Sequence, residues 1–213
     1  MNVMKIVPAI LTDDAHDFQD KLSQCEKFCG LAQVDVMDGK FVPSKSVGLE
    51  VLSSIKTRLE LEFHLMVDNP LEYLDAAKKS GIKRIIFHYE SKFTPHDELM
   101  DKIKALDMQA GLAINPQTQI SQVEHLFSGI DLLLFMAVNP GYYGSPFIPE
   151  VLDKVKRVAE KKHGFILALD GGVKESNILD IKRAGVELAC VGSGIFKGDD
   201  IAENYRKLAK KLS

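Results

Sequence analysis

Short apolar runs alternate with longer amphipathic stretches along the whole chain. The runs at 6–11, 31–36, 61–66, 84–87, 109–114, 131–138, 165–169 and 188–191 have strand length and composition. Between them lie helical patterns. Residues 14–28 place Phe18, Leu22, Cys25 and Phe28 on one face. Residues 49–56, 95–106, 119–127, 149–161, 175–184 and 199–212 read the same way. A further helix starts at Pro70, buries Leu71, Leu74 and Ala77, and stops at Gly81. Thr118 is expected to cap the helix that follows it.

Unbroken strand–helix alternation predicts a parallel sheet. Eight such units in 213 residues, with no break in composition, predict one α/β domain over 1–213: a TIM-type (β/α)8 barrel. An open doubly wound sheet is the alternative, but its Gly-x-Gly-x-x-Gly turn is missing after the first strand. Composition narrows the partners. The chain is 46% hydrophobic and 27% charged, with a net charge of −3 and no basic stripe, so no nucleic-acid partner is expected. No signal-peptide core or membrane-length apolar run is found, which predicts a cytoplasmic protein without a membrane partner. Cys25, Cys29 and Cys190 fit no disulfide framework or zinc pattern and read as reduced thiols.

In a barrel of this kind, chemistry belongs at the C-terminal ends of the strands. The polar residues collect there. Asp35 ends the second strand, His64 lies on the third, His88 and Glu90 follow the fourth, Asn115 follows the fifth, and Asp170 ends the seventh. A carboxylate or imidazole on one buried strand is commonly a satisfied core residue. Asp35, His64 and Asp170 at equivalent strand ends suit a divalent cation instead. Glycine-rich turns close the last three strands: Gly141-Tyr142-Tyr143-Gly144, Gly171-Gly172 and Gly192-Ser193-Gly194. Such turns end strands for steric reasons alone, yet together they also suit a phosphate held by backbone N–H groups. Met37, Met66 and Met136 are either core filler or the floor of a substrate site.

The motifs Val34-Asp35-Val36-Met37-Asp38-Gly39, Phe41-Val42-Pro43, His64-Leu65-Met66-Val67, Asn139-Pro140-Gly141, Asp170-Gly171-Gly172-Val173 and Gly192-Ser193 resemble the ribulose-phosphate 3-epimerase family. The resemblance runs from Pro8 to about Phe196. It implies a homo-oligomeric, metal-dependent isomerase that interconverts D-ribulose 5-phosphate and D-xylulose 5-phosphate. Asp35 and Asp170 would be its acid/base pair. Gln33, Asp35, His64 and Asp170 would hold Zn²⁺, Mn²⁺, Fe²⁺ or Mg²⁺. The sugar phosphate would lie against Met37, His64, Met66, Met136, Gly141, Tyr142, Gly144, Gly171, Gly172, Gly192 and Ser193.

Several positions depart from the family pattern. Gln33 stands where the family has a metal-ligand His, and an amide oxygen favours oxygen-preferring ions over zinc. Ala9 replaces a Ser near the sugar, and Tyr143 and Ser145 replace a Gly and a Gln. The rival readings are an epimerase of another ketose phosphate, such as allulose 6-phosphate, and a sugar-phosphate-binding paralogue without turnover. The bulk of Tyr143 argues against the longer sugar, and retention of both aspartates argues against mere binding. An Asp-x-Lys-x-x-Asp decarboxylase is discounted, because Met37 stands where that motif needs Lys.

Overall fold

Eight parallel strands, β1 (Lys5–Ile10), β2 (Leu31–Met37), β3 (Glu60–Met66), β4 (Arg84–His88), β5 (Gln109–Ile114), β6 (Leu132–Met136), β7 (Ile166–Asp170) and β8 (Leu188–Val191), pair in sequence order. Pairing of β8 with β1 closes the ring. The computed structural model describes residues 4–92, 95–141, 144–161, 163–198 and 200–212. The helices are α1 (Ala15–Cys25), α2 (Leu49–Leu52), α3 (Leu74–Lys79), α4 (His96–Ala105), α5 (Ile120–Val123), α6 (Val151–Ala159), α7 (Ile178–Arg183), α8 (Ser193–Phe196) and α9 (Ile201–Leu212). None is long and apolar enough to cross a membrane.

Both faces of each strand are buried, but they meet different neighbours. Outward-facing Val34, Val36, Phe63, Leu65, Ile85, Phe87, Leu133 and Phe135 pack under the helices with Phe18, Leu22, Leu99 and Val155. Inward-facing Val7, Ala9, Ile86, Ala113, Leu134, Met136, Ala168, Leu188 and Cys190 fill the barrel on one side. The inward faces of β2, β3 and β4 are mostly polar instead, Ile86 apart. Gln33, Asp35, Glu62, His64, Arg84 and His88 are all buried. At the base, Arg84 Nη1 donates to Glu62 Oε2 at 2.5 Å, and Nη2 donates to Gln109 Oε1 at 2.6 Å.

The predicted strands are all present. Several helices are shorter than the pattern suggested, for local reasons. The 49–56 stretch is helical only over α2, because Ser53 and Ser54 hydrogen-bond back to the carbonyls of Leu49 and Val51. The turn at Pro70–Tyr73 is 3₁₀ and runs into α3. The 119–127 stretch divides into α5 and a 3₁₀ turn, Glu124–Leu126. Thr118 is not its cap. Gln119 takes that position and donates its backbone N–H to Gln122 Oε1 at 2.8 Å. The Thr118 hydroxyl instead donates to Glu90. One element is additional: α8, where the sequence suggested only a glycine turn.

The loop after β2 is held by one carboxylate. Asp38 Oδ1 accepts from the backbone N–H groups of Lys40 and Phe41 at 2.8 and 2.9 Å, and Oδ2 accepts from Asp68 N–H at 2.8 Å. Burial opposes ionisation of Asp38, but these bonds outweigh it and hold the carboxyl below its ordinary value of 3.8. A depressed folded-state pKa means that the stabilisation is complete above the unfolded value and lost as pH falls through the folded one. The loop is therefore expected to stay docked down to pH 4 and to loosen only below it. Asp38→Ala should cost about 2 kcal/mol and raise hydrogen exchange at Lys40, Phe41 and Asp68 at neutral pH. Unchanged protection at those three amides would refute the assignment.

Candidate active site

Register brings the chemistry together. Asp35 and His64 are direct partners across β2 and β3, and Asp170 ends β7 beside Cys190 of β8. All three polar side chains point into the barrel mouth. Ligand atoms of Asp35, His64 and Asp170 lie within 4.8 Å of one another, close enough to hold one metal ion. Gln33 reaches the same point from one turn of the strand pleat below. Its Nε2 donates to Asp35 Oδ1 at 2.8 Å and to Asp170 Oδ2 at 2.6 Å, and lies 3.5 Å from His64 Nδ1. His64 Nδ1 is 2.9 Å from Asp35 Oδ1 and 3.4 Å from Asp170 Oδ2.

The electrostatics follow from this crowding. Burial raises the Asp35 pKa, and the charge of Asp170 raises it further, while His64 and Gln33 offset part of the rise. Burial works against the His64 cation, but the bonds to Asp170 and Asp35 outweigh it and lift the imidazole to about 9. His88 behaves oppositely: wholly buried and bonded to only one carboxylate, it is pushed down to about 4. Burial also opposes the charge on Glu90. Hydrogen bonds from His88, Thr118 and Asn115 overcome it and keep that carboxyl below its ordinary value.

The pocket above the aspartates is small, with a volume of about 70 Å³. Asp35, Met37, Met66, Met136, Gly141, Gly144, Asp170, Gly171, Gly172, Gly192 and Ser193 line it, together with Leu11, Val138 and Ser145. The three methionines therefore face the pocket and are not only core filler. His64 does not line it: the ring is fully buried. Ala9 is likewise buried, in the barrel interior. Tyr142, expected at the phosphate end, and Tyr143 lie outside the described residues.

The Gly171-Gly172 turn has a steric reason for its residues. Both have positive φ, 106° and 65°, and a Cβ on Gly171 would stand 2.5 Å from a Val138 methyl. A Cβ on Gly172 would meet the Phe147 backbone at 2.9 Å. The loop after β2 packs against the loop after β6 and the end of β4. Ser44 Oγ donates to the Gly141 carbonyl at 2.5 Å, and Phe41 lies 4.9 Å from the His88 ring.

Two residues at strand ends were left without a role in the sequence reading. His88 Nε2 faces His64 Nε2 at 2.9 Å, and Glu90 Oε2 is 3.2 Å from His88 Nδ1. Their signal was their place after the fourth strand. Which atoms they meet depends on barrel register, which sequence spacing does not give.

Comparison with known proteins adds the chemistry's name. The family model described as "Ribulose-phosphate 3 epimerase family" matches residues 5–196. Ribulose-phosphate 3-epimerase of Aquifex aeolicus is 38% identical over 82% of this chain and 81% of its own. The Bacillus subtilis protein of the same name is 34% identical over 93% of this chain and 94% of its own. Among solved structures, 3-hexulose-6-phosphate synthase from Salmonella typhimurium superposes with a TM-score of 0.73 at 16% identity, covering 98% of each chain. At that identity it supports the barrel and nothing finer. With the family model spanning β1 to α8 and close relatives aligned over most of their length, the chain belongs to the ribulose-phosphate 3-epimerase family.

Proposed function

We propose that the protein epimerises C3 of a ketopentose phosphate, interconverting D-ribulose 5-phosphate and D-xylulose 5-phosphate. Family membership supports the substrate and the isomerase class. The observation that carries the mechanism is the convergence of two carboxylates, from β2 and β7, on the floor of one pocket. Inverting a carbon beside a ketone requires a proton to leave one face and another to arrive on the opposite face. One carboxylate takes the proton from C3 and the other returns one, with roles exchanged in the reverse direction. The raised pKa of Asp35 brings it nearer to the acid/base range useful at neutral pH. Met37, Met66 and Met136 exclude water from the floor. The turns at Gly141, Gly171–Gly172 and Gly192–Ser193 suit the phosphate, which fixes the sugar's orientation.

The donor set fits a divalent cation. Asp35, His64 and Asp170 supply three ligand atoms, and Gln33 Oε1 is buried without a hydrogen-bond partner among the described residues. Turning the Gln33 amide over would point that oxygen into the site and make it the fourth ligand. A bound cation would supply positive charge to stabilise the enediolate oxygens. Three of the four donors would then be oxygens, a set that suits Mn²⁺ or Mg²⁺ better than Zn²⁺.

In D₂O, ribulose 5-phosphate should gain deuterium at C3 as xylulose 5-phosphate appears, both seen by NMR. Absence of exchange with every divalent ion would remove the pentulose reading. Gln33→His should tighten Zn²⁺ binding by roughly tenfold, about 1.4 kcal/mol, with little gain for Mn²⁺. Calorimetric titration with each ion checks this. An equal gain for both ions would mean that Gln33 does not set the preference.

A further inference from the structure

From His64 the polar chain continues toward the C-terminal end of β4 and the loop that follows it. The centroids of the His64 and His88 rings are 5.1 Å apart with planes inclined by 25°. Their Nε2 atoms face each other at 2.9 Å, so the rings meet edge to edge. His88 Nδ1 lies 3.2 Å from Glu90 Oε2. The other oxygen, Glu90 Oε1, accepts from the backbone N–H of Asn115 at 2.9 Å and from the Thr118 hydroxyl. Both rings are wholly buried, so water cannot substitute for these partners.

The direction of every bond follows from one end. A carboxylate only accepts, so His88 must carry hydrogen on Nδ1. A neutral imidazole with that hydrogen has a lone pair on Nε2. His64 must then carry hydrogen on its own Nε2. The ring's other nitrogen, Nδ1, faces Asp35 and Asp170, which also only accept, so in the metal-free protein it carries hydrogen too.

We infer that Glu90 and His88 are positioning residues that fix a hydrogen on His64 Nε2, so that Nδ1, whose hydrogen faces Asp35 and Asp170 when no cation is bound, is the atom a cation would take over. This rests on the reading of Asp35, His64 and Asp170 as the cation site. Neither Glu90 nor His88 lines the pocket, so they act only through His64. Histidine ligands commonly have their far nitrogen fixed by a carboxylate. Here a second imidazole is interposed, and it carries the same instruction one ring further.

The Asn115 N–H makes the lock testable with an isosteric change. In Glu90→Gln the side-chain oxygen must stay on that fixed donor, because an amide NH₂ there would face another N–H. The NH₂ group is then forced onto His88 Nδ1. His88 must accept at Nδ1 and donate from Nε2, and His64 must accept at Nε2. Its only hydrogen is then on Nδ1, where the cation would bind, and no other nitrogen of the ring can carry it.

The experiment uses the full chain labelled with ¹⁵N-histidine and stripped of metal by a chelator. Long-range ¹H–¹⁵N NMR reads which ring nitrogens bear hydrogen, and Mn²⁺ affinity is measured by EPR. In the unmutated protein we expect hydrogen on His88 Nδ1 and His64 Nε2, and a bare His88 Nε2. Glu90→Gln should reverse all three and weaken Mn²⁺ binding about 10–100-fold. Thr118→Val, which removes one donor to Glu90 without reversing any bond, should keep the pattern. A bare His88 Nδ1 in the unmutated protein, or a Glu90→Gln protein with the pattern and affinity unaltered, overturns the lock. If Glu90→Gln does not fold, the unmutated spectrum decides alone. An unmutated protein with the expected pattern that binds no Mn²⁺ overturns the cation site, not the order of hydrogens.

Discussion

Asparagine in place of Asp35 or Asp170 is expected to lower kcat for epimerisation by about 10²–10⁴-fold, the usual worth of a positioned acid or base. Asparagine keeps the size and the acceptor oxygen that Gln33 uses, so the fold should persist. The informative result lies in the exchange that remains. With one carboxylate gone, the other still reaches its own face of C3 and can remove and return a proton there. Each variant should therefore exchange C3 hydrogen for deuterium in one epimer and not in the other. The two variants should select opposite epimers. If both retain exchange with the same epimer, the aspartates do not work on opposite faces, and a mechanism with a single base would replace this one.

The second large effect lies at the other end of the barrel. Arg84→Met is expected to destabilise the protein by about 3–5 kcal/mol, because it strands Glu62 in the barrel interior. For a chain of this size that is a drop of roughly 10 °C in Tm. Burial already raises the Glu62 pKa more than Arg84 lowers it. A carboxyl whose folded pKa is raised favours the folded state below its unfolded value and loses that contribution as pH rises through the folded one. The Arg84→Met defect should therefore be smaller at pH 5 than at pH 8. Adding Glu62→Met should restore most of the loss, since an apolar pair of similar volume does not need the missing charge. Denaturant melts of the single and double variants decide the matter. A single variant within 1 kcal/mol of the unmutated protein would show that water reaches Glu62.

The strands were legible because every apolar run but the fourth meets Gly, Pro, Asn or Asp within two residues of its end, residues that stop strands whatever lies around them. Helix lengths were less so. Over 49–56 the apolar spacing continues, but two serines turn their hydroxyls onto the backbone and end the helix early. Thr118 has the chemistry of a cap, yet a half-buried carboxylate 28 residues away holds its hydroxyl. Asp35, His64 and Asp170 were found because strand ends in a barrel all point to one place. Glu62 and Arg84 were passed over for the opposite reason. A charged residue between apolar neighbours reads as facing water, whereas in this fold the helices cover the apolar face and the charges turn inward. The direction of the Glu90–His88–His64 bonds needed atoms, not spacing.

Closure of β8 onto β1 has a consequence for how the protein is made. Gln33 and Asp170 are bonded across 137 residues of chain. A ribosome must deliver the seventh strand before the first carboxylate meets its counterpart. Until then β2 and β3 carry an acid and an imidazole with no partner opposite, on a growing sheet whose edges are still open. Turnover thus reports that the ring has shut. A nascent or nicked chain that keeps six good strands would look well folded by spectroscopy and still be inert.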